Sequence, residues 1–154
     1  MTVRLATADD AADVTRLMIG FRDWWKRDWP SDDAFARGIE RLLADVNTDF
    51  LLGWVDGDAP ASGVCALRYR YGLWLDALDC CLEDLYVDEP ARRHGLGEAL
   101  VLAALERARE RGCGRIELDV NEANGAASAL YERLGFSAYE ESLGGNNRFM
   151  SLHL

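Results

Sequence analysis

The chain has 154 residues, of which 49% are hydrophobic, so it can bury one sizeable core, and we expect a single domain over residues 1–154. The formal net charge of −10 argues against a nucleic-acid-binding protein, which needs a basic face, and suits a cationic substrate. Residues 1–10 lack the apolar core of a signal peptide, and no later segment stays apolar for about 18 residues, so we expect a cytoplasmic protein without membrane contact.

Hydrophobic periodicity and capping residues divide the chain into alternating strands and helices. In chain order we predict a strand over 3–6, a helix to about residue 26, a helix from Ser31, strands over 49–55, 61–71 and 82–87, a helix over 96–111, a strand over 115–120, a helix over 124–134, and strands over 136–141 and 148–152. The turn Asp56-Gly57-Asp58 indicates a hairpin. The order β-α-α-β-β-β-α-β-α-β-β predicts an α/β fold with one mixed sheet and helices on both faces.

The four cysteines, Cys65, Cys80, Cys81 and Cys113, show no C-x-x-C spacing. With only two histidines in the chain they form no recognisable zinc set, so we expect no metal and interpret them as reduced, structural thiols.

The run from Arg92 to Gly97 has the pattern Arg-x-x-Gly-x-Gly and joins the predicted strand 82–87 to the helix 96–111. Small residues at Gly95 and Gly97 let backbone N–H groups approach an anion, and the positive end of the helix dipole lies at the same place. The run is therefore interpreted as a phosphate cradle. Neither the P-loop pattern nor the complete three-glycine dinucleotide fingerprint is present.

A second group of residues follows the next predicted strand. Asn124 and Tyr131 lie seven residues apart, close to two helical turns, so their side chains share a helix face, and Leu134-Gly135-Phe136 comes directly afterwards. Two simpler interpretations stay open: Asn124 caps the helix, and Tyr131 is a half-buried packing aromatic.

Together, in this order, the two motifs resemble those of the GCN5-related N-acetyltransferase (GNAT) family, most strongly from Leu82 to Phe136. The segment 82–87, preceded by Trp74, is similar to the diamine and polyamine acetyltransferases of that family. Pro90 stands one place later than in the family's commonest form, and Arg93 replaces a frequent glycine; we expect both departures to be tolerated. The resemblance implies an acetyltransferase with a mostly antiparallel sheet.

The resemblance also implies acetyl-CoA as the cosubstrate, with pantetheine inserted where the strand ending at Val87 splays from the strand 115–120. Backbone groups of Leu85 and Val87 pair with the pantetheine amides, and N–H groups from Arg93 to Glu98 hold the pyrophosphate. The implied cofactor-binding residues are Leu85, Tyr86, Val87, Arg92, Arg93, His94, Gly95, Leu96, Gly97, Glu98, Asn124, Ala127 and Tyr131.

Transfer to a primary amine needs a base, because an alkylammonium has a pKa of about 10. Glu83 matches the catalytic glutamate of the polyamine enzymes and is the candidate; the alternative is a carboxylate paired with an arginine. Asp84 is expected to face the other way on the strand. The resemblance further implies the N–H of Leu85 as oxyanion donor and the hydroxyl of Tyr131 as the acid that protonates the leaving thiolate.

The acceptor is expected to be a small amine, and the resemblance of the segment 82–87 implies the di- or polyamine class. Aromatic and acidic side chains could hold its cation, although core packing and solvated surface charge explain the same residues; the candidates are Trp24, Trp25, Glu83, Glu117 and Asp119, with Phe21, Trp29, Asp76 and Asp79 as further members. Alternatives are a protein N-terminal or aminoglycoside acetyltransferase, or a non-catalytic acyl-CoA-binding module. Family analogy suggests a homodimer through residues 136–152.

Overall fold

A computed structural model describes residues 1–57 and 60–153, so Asp58 of the predicted hairpin turn lies outside the described residues. The chain divides into two compact units, Met1–Ile116 and Glu117–Leu154. Within the described ranges, every helix is too short or too polar to cross a membrane.

The first unit holds most of the regular structure, and β5 ends at the first residue of the second unit. Its elements are β1 (Thr2–Leu5), α1 (Ala11–Trp24), α2 (Asp32–Leu43), β2 (Thr48–Trp54), β3 (Gly63–Gly72), β4 (Ala77–Val87), α3 (Leu96–Glu110) and β5 (Cys113–Glu117). The second unit continues with α4 (Gly125–Arg133), β6 (Tyr139–Glu140) and β7 (Gly145–Asn146).

The five strands of the first unit form one sheet in the order β1-β2-β3-β4-β5, with antiparallel pairing from β1 through β4. Alternate residues of β2 and β3 point to opposite faces: Phe50 and Val64 join a core with α1 and α2, and α3 covers the other face. The predicted fold class and the order of its elements are therefore confirmed.

Close packing of α3 on the sheet depends on two glycines that face each other across β2 and β3. A Cβ on Gly53 would lie 2.8 Å from Cδ1 of Leu96, and a Cβ on Gly63 would lie 2.9 Å from Cδ1 of Leu100. Both distances are shorter than van der Waals contact, so larger residues at these two positions would push the start of α3 away from the sheet.

The C-terminal end of α3 is tied to the sheet by a buried carboxylate. Asp49 accepts hydrogen bonds from the hydroxyl of Tyr69 at 3.0 Å and from Nε of Arg107 at 2.8 Å. Burial and the neighbouring Asp49 carboxylate raise the pKa of Tyr69, so the hydroxyl stays a donor at neutral pH. The orientation of α3 is thus fixed at both ends.

Three strand predictions need correction. β4 begins at Ala77 instead of residue 82, because it pairs with β3 as far as the Gly72–Ala77 pair and so forms a hairpin. The strands predicted over 136–141 and 148–152 are replaced by β6 and β7, two residues each, which form a sheet of their own. Residues 148–152 have no strand structure, and the partner of β6 comes from the glycine-rich loop instead.

The prediction of reduced thiols is confirmed. All four cysteines are free, and Cys65 and Cys80 are fully buried in the sheet. Burial raises the pKa of Cys80 to about 12, which keeps this thiol protonated and unreactive at neutral pH.

Candidate functional site

A β-bulge lies in β4 at the residue predicted to be the base. Ala66 of β3 pairs with Asp84 and Leu67 pairs with Leu82, so Glu83 is the extra residue between them. The expectation that Asp84 faces away from Glu83 is wrong, because the bulge interrupts the alternation of side chains and both carboxylates line one cavity. The bulge depends on the partner strand, so β4 alone could not reveal it.

This cavity, which we call the α2 cavity, has a volume of about 260 Å³. Apart from the two carboxylates its lining is apolar; the lining residues are Met18, Pro30, Ala34, Phe35, Gly38, Ile39, Leu42, Phe50, Ala66, Glu83 and Asp84. It therefore places two acidic groups at one wall of an otherwise apolar space, an arrangement that suits an ammonium group attached to an apolar body.

The connection between α1 and α2 is anchored beside the cavity by Arg22. Its guanidinium donates to the carbonyl of Pro30 at 2.8 Å and to the carboxylate of Asp32 at 2.7 Å. The hydroxyl of Ser31 accepts from the N–H of Ala34 at 3.3 Å and caps α2, as the sequence predicted. These contacts hold the Pro30 wall against the start of α2.

Glu83 has an arginine neighbour. Its side chain is half exposed, and its Oε2 lies 3.6 Å from Nη1 of Arg68. The other terminal nitrogen of the same guanidinium, Nη2, lies 3.7 Å from a carboxylate oxygen of Asp45. An exposed pair at this separation contributes at most about 1 kcal/mol. The ion-pair interpretation of Glu83 is thus realised in the structure, and the role of base is compatible with it.

Arg68 is the one residue near these carboxylates that sequence reasoning missed entirely. Its Nε is buried and has no hydrogen-bond partner among the described residues. Such groups are rare in folded proteins. A signal was available, because Arg68 directly follows the apolar run from Val64 to Leu67 on β3.

The loop between β4 and α3 has the backbone of an anion cradle. Arg93 and Gly95 are in the left-handed region, with φ of +64° and +83°, and α3 begins immediately afterwards. The N–H of Ala99 donates to the carbonyl of Gly95 at 3.0 Å, so the N–H groups of Leu96 and Gly97 precede the first helical hydrogen bond of α3. Donors and helix dipole therefore coincide here.

The left-handed backbone of Arg93 gives a physical reason why a glycine would suit this position. A side chain other than glycine at positive φ costs roughly 1 kcal/mol. The replacement of glycine by Arg93 is therefore accommodated at the cost of local strain, which the sequence alone did not indicate. His94 lies between the two left-handed residues and is exposed.

Arg92 closes this loop over the end of β4. Its Nε donates to the carbonyl of Val87 at 2.9 Å, and its guanidinium lies 5.8 Å from the ring centroids of both Trp24 and Tyr86. Phe21 stacks on Tyr86 at 5.5 Å between ring centroids. An aromatic cluster at the end of α1 thus holds the arginine that was predicted to contact the pyrophosphate.

The aromatic residues predicted to hold the acceptor therefore lie beside the phosphate loop. Trp24 contacts Arg92, and Trp25 packs edge-on against Trp24 with ring centroids 5.2 Å apart. Within the described residues, neither indole is among those that line the α2 cavity. Of the predicted substrate residues, only Glu83 is at the cavity.

Two acidic candidates, Asp76 and Asp79, have other surroundings. Asp76 lies in the β3–β4 turn and accepts from the hydroxyl of Tyr71. Asp79 is buried between Arg115 and Arg70, with its oxygens 2.7 Å and 3.3 Å from their guanidinium nitrogens. Hydrogen bonding from Arg115 holds the pKa of Asp79 below its ordinary value. Its role is therefore structural.

In the second unit, both simpler interpretations of the second motif are realised. The side chain of Asn124 accepts from the N–H of Ala127 at 3.3 Å and caps α4. Tyr131 is buried and lies edge-on to Phe136, with ring centroids 5.7 Å apart. Glu117 is the last residue of β5, and Asp119 follows it in an exposed position.

Comparisons with known proteins agree with the resemblance seen in the motifs. The sequence profile described as the Acetyltransferase (GNAT) family matches residues 18–136. The chain is 33% identical over 116 residues to aminoglycoside N(6')-acetyltransferase type 1 of Serratia marcescens, which covers 73% of this chain and 80% of that protein.

Two further matches differ in extent. Mycothiol acetyltransferase of Thermobispora bispora is 51% identical over 53 residues, which is 34% of this chain and only 18% of that protein. The crystal structure of an acetyltransferase-like protein from Arthrobacter sp. FB24 superposes with a TM-score of 0.84 at 28% identity, and the match covers 100% of this chain and 95% of the other. None of these relatives carries a polyamine in its name.

Proposed function

Because the chain belongs to the acetyltransferase (GNAT) family and is an acyltransferase, we propose that it transfers the acetyl group of acetyl-CoA to a primary amine of a small molecule. Residues 1–154 act as one catalytic domain in this proposal. The observation that carries it is the bulge at Glu83, which brings two carboxylates to an apolar cavity on the strand that leads into the phosphate loop.

The arrangement along β4 supports the proposed course of acetyl-CoA. The strand rises about 3.3 Å per residue, so Glu83 lies roughly 13 Å along the chain from Val87. The contacts of β5 with β4 occur near the start of β4, where a Cβ on Gly114 would meet Ala77 and where Arg115 binds Asp79. In the proposal, the backbone at Leu85 and Val87 pairs with the pantetheine amides in the manner of an added strand.

The diphosphate is proposed to bind at the N–H groups from Arg93 to Glu98. The left-handed residues and the start of α3 support this, and Arg93 adds positive charge there. Arg92 acts from its position over Trp24 and Tyr86 by fixing the end of β4. Asn124, Ala127 and Tyr131 stay proposed cofactor residues on the strength of the family motif.

In the proposed reaction, the amine binds as an ammonium ion and loses a proton to Glu83, directly or through water, before its nitrogen attacks the acetyl carbon. Asp84 is the alternative base in the proposal, because the bulge brings it to the same cavity as Glu83. The N–H of Leu85 stabilises the tetrahedral oxyanion, and the C–S bond then breaks. The proposed acid for the departing thiolate is Tyr131.

Release of free thiol from acetyl-CoA tests the proposal, measured with alkylamines, the diamine putrescine, the aminoglycoside kanamycin and an N-terminal peptide. Amine-dependent release above hydrolysis, with acetylated amine confirmed by mass spectrometry, is expected. If acetyl-CoA binds but none of these acceptors raises thiol release, the chain is an acyl-CoA-binding module instead.

Removal of the Tyr131 hydroxyl is expected to slow turnover. Tyr131→Phe keeps the ring that packs on Phe136, and kcat is expected to fall roughly 10- to 100-fold because the thiolate leaves unprotonated. Phe136→Leu is the matched control, since it disturbs the same packing but keeps the hydroxyl. Equal kcat in Tyr131→Phe and the wild type would exclude the acid role.

An aminoglycoside acceptor is a second candidate, favoured by the name of the Serratia relative. The polyamine acceptor suggested by the segment 82–87 is a third. The acceptor panel separates the three classes by their kcat/KM values.

Assembly as a cytoplasmic homodimer is also part of the proposal. The segment after α4 exposes several large apolar side chains, an arrangement that marks interaction surfaces in other proteins; they are Tyr139, Leu143, Phe149, Met150 and Leu152. Light scattering coupled to gel filtration distinguishes a monomer of 17.2 kDa from a dimer.

A further inference from the structure

Among the described residues that line the α2 cavity, the charged side chains lie at one place. Glu83 and Asp84 lie together in its lining, and the other nine lining residues carry no charged group and no side-chain N–H or O–H. An ammonium group at the carboxylates leaves the rest of the molecule against apolar walls. A second ammonium or a set of hydroxyls would be buried there without hydrogen-bond partners, which is unfavourable.

The volume of the cavity also favours a small acceptor. Its volume of about 260 Å³ is below the roughly 300–1,000 Å³ of pockets that hold drug-sized ligands. A short chain or one ring fits within this volume, whereas a three-ring aminoglycoside would extend beyond the cavity.

Gly38 keeps part of this space open. It lies in α2 on the cavity wall, and a Cβ built on it meets nothing within 4 Å. Glycine destabilises the interior of a helix relative to alanine. A glycine at this position therefore makes α2 less stable than an alanine would. Gly38 lies between Ala34 and Leu42 on the cavity-lining side of α2, and a Cβ added there displaces no neighbour.

We infer that the α2 cavity binds the acceptor arm and that Gly38 determines its length: the preferred acceptor is a primary amine on a short apolar chain or single ring. This inference rests on the proposed acetyl transfer for its catalytic part. The ammonium lies against Glu83 and Asp84, and the apolar arm runs under α2 toward Gly38.

The test compares straight-chain amines from ethylamine to octylamine with putrescine and kanamycin, by kcat/KM and by calorimetric binding. Each added methylene is expected to raise kcat/KM and affinity about fourfold until the cavity is filled. Octylamine is expected to bind at least tenfold more tightly than 1-octanol, because only the amine is charged. A flat dependence on chain length, or a preference for kanamycin or putrescine over hexylamine, overturns the inference.

Gly38→Leu provides the matched variant. The ratio of octylamine to ethylamine kcat/KM is expected to fall at least tenfold in Gly38→Leu and about threefold in Gly38→Ala. Glu40→Leu adds the same side chain to the exposed side of α2 and keeps the wild-type ratio. An unchanged ratio in both Gly38 variants, each with a cooperative melting transition, overturns the assignment of Gly38.

The two proposals fail in different ways. If no amine is acetylated but calorimetry shows binding that depends on chain length and weakens in Gly38→Leu, the cavity assignment holds and acetyl transfer is wrong. If amines are acetylated without these dependences, acetyl transfer stands and the cavity assignment is wrong. Absence of both acetylation and binding overturns both.

Discussion

β4 carries acidic residues at two places, Asp79 and the pair Glu83 and Asp84, and the surroundings of Asp79 and Glu83 differ sharply. Asp79 is 2% exposed and has both oxygens engaged by arginines, with 2.7 Å to Arg115. Glu83 is half exposed, and its nearest guanidinium nitrogen is 3.6 Å away. The same residue class on one strand is therefore closely paired with arginines at one position and half exposed with a single long ion pair at the other.

The cause of the difference is the bulge. Asp79 lies in the regular part of the hairpin and pairs directly with Arg70 across β3. At Glu83 the register shifts, so two consecutive acidic residues line one cavity, and Glu83 has only the long contact with Arg68 of β3. Regular pairing thus builds the ion pair at Asp79, and the irregularity brings Glu83 and Asp84 to the α2 cavity, where the proposal places the base.

Neutralising the carboxylates at the bulge is expected to have the largest effect on activity. Glu83→Gln or Asp84→Asn, whichever removes the base, is expected to lower kcat by roughly 10²- to 10⁴-fold, because the ammonium then keeps its proton. The melting temperature should change little, since the contact with Arg68 is weak. Initial rates and thermal melts of both variants are the measurements; full activity in both contradicts a carboxylate base.

Neutralising Asp79 is expected to reverse this pattern. Asp79→Asn leaves Arg115 and Arg70 without a carboxylate and is expected to lower the free energy of unfolding by about 1–3 kcal/mol, because both arginines are partly solvated and can return to water. The kcat should stay within about threefold of the wild type. Urea unfolding checks the first value, and a stable but inactive Asp79→Asn would show that the two carboxylate groups are not separate in function.

The pH dependence sharpens the same prediction. Hydrogen bonds from Arg115 lower the pKa of Asp79 in the folded protein, so its stabilising contribution is complete above the ordinary pKa of about 3.9. It is lost as the pH falls further, because the unfolded state then binds more protons than the folded state. The difference in stability between wild type and Asp79→Asn should therefore shrink below about pH 4; a constant difference contradicts this.

A smaller effect is expected at Arg93, whose backbone is strained. Arg93→Gly is expected to raise the free energy of unfolding by up to about 1 kcal/mol and to raise the KM for acetyl-CoA a few-fold, since the charge beside the phosphates is lost. Lys26→Gly is the matched control, because Lys26 has a φ of +55° and lies outside the loop. A rise in KM that is equal in both variants contradicts the phosphate role.

The sequence predicted the order of elements because its signals are local. Ser31 and Asn124 are caps, and Gly135 is left-handed at the end of α4, so the helix ends could be found from short patterns. The start of β4 was missed because Ala77 to Cys81 lies beyond a tight turn, although the pairing of Asp79 with Arg70 is a charge signal that favours a hairpin.

The site was less predictable than the fold. Arg92 to Gly97 and Glu83 could be singled out from motif and chemistry, whereas the cavity depends on packing between α2 and three strands. Asp84 and Gly38 could not be assigned to it from the sequence, because a register shift and an empty space are properties of the folded chain. Trp24 and Trp25 were expected at the acceptor; the contact of Trp24 with Arg92 and the packing of Trp25 on Trp24 could not be read from the sequence either.

The most direct test uses the double variant Glu83→Gln/Asp84→Asn at saturating acetyl-CoA with the best amine of the panel. We predict that thiol release falls to the hydrolysis rate while acetyl-CoA affinity and melting temperature match those of the wild type. Amine-dependent release at the wild-type rate in this variant would contradict the assignment of the bulge as the reactive part of β4.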